Sequence, residues 1–174
     1  MFSSILIAID GSIHSERALA MGCDLAAKYQ AKLTFVHVIG HGPLPKGFEQ
    51  WAEVEHLAHR AAHVDTQVAN VSGNLHVAEG GGETEGYEFR LHEVAGEQII
   101  KRAMEAAKAQ KLKGVNKYLD TGTPVNCILQ RAQEERADLI VMGTRGLSEL
   151  KGLLMGSVSH KVCQLAKVAV LTVK

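Results

Sequence analysis

The sequence holds no apolar run near the ~20 residues that a membrane helix needs, so membrane insertion is not expected. Its start, Met1-Phe2-Ser3-Ser4-Ile5-Leu6-Ile7-Ala8-Ile9-Asp10, has no basic stretch ahead of the apolar one. The run is short and closes on an acid, which reads as a strand and not as a secretory leader. Cysteine is scarce: Cys23, Cys127 and Cys163 stand far apart, odd in number and without C-x-x-C spacing. A disulfide framework and a cysteine metal site are therefore unexpected, and reduced thiols in the cytoplasm are the default. No adjacent His or helix start marks any of the three as an activated nucleophile. Excess charge is missing as well. Lys plus Arg and Asp plus Glu both number 19, whereas a nucleic-acid or anionic-membrane footprint normally needs net positive charge.

What is present points to one layered domain. At 174 residues and 46 % hydrophobic, the chain suffices for a single core and is short for two. Ile5 to Ile9 and Leu139 to Met142 are nearly all apolar, as central strands covered on both faces should be. Lys32 to Ile39 partly alternates, Val115 to Thr121 is polar enough for a sheet edge, and Val168 to Val173 closes the chain. Between them lie helical patterns over Ser15 to Tyr29, Val94 to Leu112, from Thr123-Pro124 onward, and Ser157 to about Ala166. Ser12 or Ser15 is the expected N-cap of the first, and Thr123 with Pro124 opens the third. Alternating strands and helices of this length imply right-handed β-α-β crossovers and a doubly wound α/β sheet with helices on both faces. Such sheets bind ligands beyond the carboxyl ends of their strands, which nominates the loops after Ile9, Ile39 and Met142.

One segment falls outside that alternation. Residues from about 41 to 88 form an insertion with Gly42-Pro43-Leu44-Pro45, a helical stretch at 50–71 and Gly80-Gly81-Gly82. It has too few large apolar residues for its own core, so it reads as a mobile lid or excursion on a single domain spanning 1–174.

The most informative stretch follows the fourth strand: Gly143-Thr144-Arg145-Gly146, nine residues, then Gly156-Ser157. Gly143 and Gly146 allow a sharp turn and a close backbone approach to a ligand. Gly156-Ser157 starts the last helix, whose unpaired N–H groups and positive dipole end attract phosphate. Ser157 adds a hydroxyl and Arg145 adds charge. No G-x-x-x-x-G-K-[ST] exists, and the first turn is Asp10-Gly11-Ser12 and not G-x-G-x-x-G, which excludes a P-loop and leaves a dinucleotide fingerprint unsupported.

The spacing of Gly143, Gly146, Gly156 and Ser157 fits G-2x-G-9x-G-[ST], and here the sequence resembles the ATP-binding branch of the universal stress protein family. Ile7-Ala8-Ile9-Asp10-Gly11-Ser12 and Asp138 to Gly143 are similar to that family too. The resemblance covers residues 2–40 and about 90–174. It implies five parallel strands ordered 3-2-1-4-5 and an ATP or AMP ligand. Asp10 would bond the ribose or the adenine side, Ala8 and Val38 would border the base, and backbone groups near Val38 would read its edge. Met142 would line the base and Gly143 the ribose, while Arg145, Gly146, Gly156, Ser157 and Val158 would surround the phosphates. The implied function is a nucleotide-binding stress-response module; the alternative is a slow ATPase or phosphotransferase.

Other residues invite less. His56, His59 and His63 share one helical side, opposite Val54, Leu57, Ala61 and Val68, and read as a solvated face, not a metal site. His37 reads as a satisfied core or pocket-edge residue and His160 as a surface one. Asp10 offers a hard oxygen ligand for Mg2+ bound with a triphosphate. No dedicated base for phosphoryl transfer is visible, which favours a binding module over an enzyme. The uncharged last strand, placed at a sheet edge by the 3-2-1-4-5 order, is expected to pair with a second copy in a homodimer.

Overall fold

The computed structural model describes residues 1–40, 82–147 and 155–174; for 82–88 it describes the backbone. Among the described residues nine elements alternate: β1 (Ser4–Ala8), α1 (Ile13–Tyr29), β2 (Lys32–Ile39), α2 (Gly82–Ala109), β3 (Asn116–Thr121), α3 (Pro124–Glu134), β4 (Leu139–Gly143), α4 (Ser157–Leu165) and β5 (Ala169–Val173). The strands form one parallel sheet in the order β3-β2-β1-β4-β5. The doubly wound α/β reading and its strand order hold. The strands β1 and β4 are buried at every position because both faces of the sheet are covered. Ile5, Ile7, Leu33, Phe35 and Val141 bury one face with α1 and α2, while Leu6, Ala8, Val36, Ile140 and Met142 bury the other with α3 and α4.

One expectation is corrected. The second helix begins at Gly82, not Val94; Gly82 and Gly86 weaken local helix propensity by roughly 1 kcal/mol each, yet the helix runs through them. The last part of the expected insertion at 41–88 is therefore helix. Its remainder, with the stretch at 50–71 and His56, His59 and His63, lies outside the described residues. Thr123 stands at the N-cap of α3 before Pro124, but its side chain makes no capping bond; its carbonyl accepts from Cys127 N–H at 3.1 Å. At α1 the expected cap is present: the Ser12 hydroxyl accepts the Ser15 N–H at 3.2 Å.

The helices α1, α2 and α3 end alike. Gln30, Lys111 and Arg136 have φ of 52°, 58° and 50°, the left-handed conformation that normally selects glycine. Each donates its N–H three residues back, and the following Ala31, Leu112 and Ala137 donate to Ala26, Ala107 and Ala132. This double bond pattern, with an apolar residue after the left-handed one, is the Schellman motif. It turns each helix into the strand or loop at the amino-terminal pole of the sheet. Glu135, just past α3, ties that pole together. Its carboxylate accepts from Lys32 Nζ at 2.6 Å, Asn116 Nδ2 at 3.0 Å and the Tyr118 hydroxyl. Burial alone would raise its pKa, but the bonds from Lys32, Tyr118 and Asn116 outweigh it and bring the group from 4.5 to about 2.

Candidate functional site

At the opposite pole, β1 and β4 end side by side while their chains turn to opposite faces of the sheet, the usual crevice of such folds. A cleft of about 300 Å³ opens there. Ala8, Asp10, Val38, Met142, Gly143, Arg145, Gly146, Gly156, Ser157 and Val158, the residues singled out from sequence, all line it. So do Ile9, Ser15, Val36, His37, Gly40, His92, Pro124, Ile128, Leu147 and Ser159. Its β2–α3 side is apolar, and its β4–α4 side carries Arg145, the glycines and the start of α4.

Local bonding fixes the polar side. Gly11 has a φ of +80°, so the chain reverses just after Asp10 at a residue without a Cβ. The Asp10 carboxylate accepts Ser12 N–H at 3.0 Å, and Asp10 N–H donates to the Ser15 hydroxyl at 3.0 Å. The Ser12 hydroxyl reaches the Arg145 carbonyl at 3.3 Å, tying the first turn to the loop after β4. That loop is closed at its base by Thr144, whose carbonyl accepts Gly156 N–H at 2.7 Å and the Ser159 hydroxyl at 2.7 Å. The first intrahelical bond of α4 is His160 N–H to the Gly156 carbonyl, 3.0 Å. The N–H groups of residues 157–159 precede it, at the positive end of the helix. Arg145 Nε is buried with no hydrogen-bond partner among the described residues.

The three glycines differ in why they are glycine. None has a positive φ, so what matters at these glycines is the missing Cβ and not a left-handed backbone. A Cβ at Gly143 would lie 2.9 Å from the His14 carbonyl carbon and the Ser15 nitrogen, so this glycine lets β4 pack against the start of α1. A Cβ at Gly146 would meet the Asp10 carboxylate. At Gly156 the nearest atoms to a Cβ stand at 3.5 Å, ordinary contact, with φ −75° and ψ 162°. The fold itself therefore does not require a glycine at 156.

His37 was read from sequence as a satisfied pocket-edge residue, and that is how it sits. It is 9 % exposed, with Nδ1 2.8 Å from the Ile9 carbonyl. Burial lowers its pKa, against the raising effects of the Ile9 carbonyl and Asp10, and His92 adds to the lowering. The ring is thus neutral at pH 7, and since a carbonyl only accepts, Nδ1 carries the hydrogen. His160 is exposed, as expected. Ile128 and Pro124 carried a usable signal, being four residues apart at the start of a helix that must cover the sheet. Ser15, Gly40 and His92 carried none. Among the described residues no three metal-ligating side chains gather, and no helix is long and apolar enough to cross a membrane.

Comparison with known proteins gives a consistent answer. The model of the universal stress protein family matches residues 1–174. The universal stress protein YxiE of Bacillus subtilis is 34 % identical over 180 residues, all of both chains. A universal stress protein of Thermus aquaticus is 32 % identical over 182 residues, again all of both. Among solved structures, a universal stress protein in complex with cAMP superposes with a TM-score of 0.61 at 26 % identity, covering 99 % of this chain and 97 % of the other. One from Archaeoglobus fulgidus in complex with dAMP has a TM-score of 0.59 at 19 % identity, covering 99 % and 98 %; at that identity it speaks for the fold alone. With the family model matched from end to end and full-length relatives above 30 % identity, this chain belongs to the universal stress protein family.

Proposed function

We propose that this protein is a regulatory module that binds ATP or AMP in the cleft at the carboxyl ends of β1 and β4. The observation that carries the reading is the cleft's division. One side offers apolar walls from Ala8, Val38, Ile128 and Met142; the other offers helix N–H groups and Arg145 Nε, buried without a hydrogen-bond partner among the described residues. A flat base with a polyanion attached needs that arrangement. Phosphates held by Arg145, Gly146, Gly156, Ser157 and Val158 would meet the dipole of α4 and supply an acceptor for Arg145 Nε, which has none among the described residues. Gly143 and Asp10 would border the ribose.

The register supports Val38 as the reader of the base edge. Pairing of β1 with β2 ends at Ala8↔Val36, while β2 runs on to Ile39. The backbone groups of Val38 face the β1 side, as those of Val36 do, since direction alternates along a strand. They therefore face the place where β1 has turned away. The family likeness to a cAMP complex favours adenine. Asp10 is the one carboxylate among the described cleft residues and suits an Mg2+ carried mainly by the phosphates of ATP. Among the described cleft residues Asp10 has no second carboxylate beside it, and His37 is committed to the Ile9 carbonyl, so binding fits this cleft better than turnover.

The same reading places the protein in the cytoplasm, with its three free cysteines reduced, and makes it a homodimer through β5. That strand is at the sheet edge, with Val170, Leu171 and Thr172 only half-buried, and a two-fold partner would cover it. Calorimetric titration of ligand-stripped protein with ATP and AMP is the test. Saturable binding to one or both is expected; no heat with either overturns the proposal.

A further inference from the structure

In a parallel ladder, the residue after Ala8 should exchange two bonds with β2: Ile9 N–H to the Val36 carbonyl, and Val38 N–H to the Ile9 carbonyl. The first is made, at 2.9 Å. The second is not, and the ladder stops at Ala8↔Val36. The Ile9 carbonyl is instead taken by the His37 side chain, whose Nδ1 lies 2.8 Å away. A side chain has replaced a backbone donor, and the displaced donor is the amide of a cleft residue.

We infer that His37 is a positioning residue which, by occupying the Ile9 carbonyl, keeps the Val38 N–H available to the base of a bound nucleotide. The inference rests on the nucleotide reading given above. Without His37, a buried carbonyl and a nearby amide would each lack a partner, and the cheapest remedy is the bond between them. The ladder would then extend by one pair and withdraw the amide from the cleft.

The ring is held for this task. A Cβ at Gly96 of α2 would come within 2.8 Å of His37 Cδ2 and 2.6 Å of Leu119 Cδ1, so the helix leaves a notch into which the ring fits. Its neutral state leaves Nδ1–H as the donor. Asp10 and His92 are the charged or titratable groups beside it.

The substitutions that separate these roles are His37→Phe, which keeps the ring and loses the donor, and His37→Asn, whose amide nitrogen can stand where Nδ1 does. Backbone hydrogen exchange of the unliganded wild type should show the Val38 amide exchanging at least tenfold faster than that of Val36. In His37→Phe it should slow towards the rate of Val36, and in His37→Asn it should stay fast. AMP should bind His37→Phe at least tenfold more weakly than wild type, with His37→Asn recovering most of the affinity. A Val38 amide as slow in wild type as in His37→Phe overturns the inference, as does a His37→Phe variant that binds AMP like wild type. Wild type that binds no nucleotide would defeat the functional reading instead, and the exchange rates would still decide whether His37 controls the Val38 amide.

Discussion

Gly143 and Gly156 belong to one sequence motif, yet adding a single methyl group should have opposite consequences at the two. At Gly143 the new Cβ would sit 2.9 Å from backbone atoms of His14 and Ser15, and backbone at a helix start cannot step aside as a side-chain tip can. Overpacking of this kind costs about 1–3 kcal/mol. For a domain of this size each kcal/mol moves Tm by about 2–4 °C, so Gly143→Ala should melt roughly 2–12 °C lower. At Gly156 the methyl meets nothing closer than 3.5 Å and the backbone angles suit alanine. The gain from a stiffer unfolded chain, about 0.4–1 kcal/mol, offsets a similar loss from replacing glycine by alanine at an N-cap. Stability should change by less than about 0.5 kcal/mol. Nucleotide affinity should nevertheless fall at least tenfold, about 1.4 kcal/mol, because the methyl stands where a phosphate would approach the first turn of α4. Thermal melts and calorimetric titration with AMP measure the two effects separately. A Gly156→Ala protein that melts like wild type and also binds like wild type would refute the argument.

Three further outcomes are expected. Gln30→Gly, Lys111→Gly and Arg136→Gly should each raise stability by about 0.5–1 kcal/mol, since relief of a left-handed residue exceeds glycine's extra unfolded entropy; urea midpoints that fall would contradict this. Glu135, held at about 2 against 4.5, contributes stability that is complete above about pH 4.5 and lost as pH falls towards 2, because the unfolded chain takes up the proton first. Glu135→Gln should flatten that acid limb in denaturant titrations at a series of pH values, and parallel loss in both proteins would count against it. Leu171→Lys should turn a dimer into a monomer by light scattering; assembly unchanged by that charge on the β5 edge, or a wild type already monomeric at micromolar concentration, would end the β5 proposal.

The sheet was legible because its inner strands carry apolar runs and its third strand is polar enough for an edge, and the cleft because four small residues keep a fixed spacing after the fourth strand. Less legible was whatever depends on distant partners. Nothing near Glu135 in sequence announces that Lys32, Asn116 and Tyr118 converge on it, since the sheet alone brings β2 and β3 under the end of α3. The start of α2 was hidden by Gly82 and Gly86, whose propensity argues against the helix that runs there. His37 could be read as a satisfied core or pocket-edge residue, but its partner could not, because that lies in a hydrogen bond that its neighbour Val38 does not make. Gly143 was visible as a glycine, but its reason is the backbone of α1 lying against it.

The cleft draws on residues from Ala8 to Ser159, with β1 paired to β4 across most of the chain. During synthesis, then, no emerging fragment owns a site. The first turn, with Asp10 already in place, must wait for α4 before Gly156 and Ser157 can face it. A ligand that touches both ends of this cleft would need α4 in place, so its binding would report that this helix has docked.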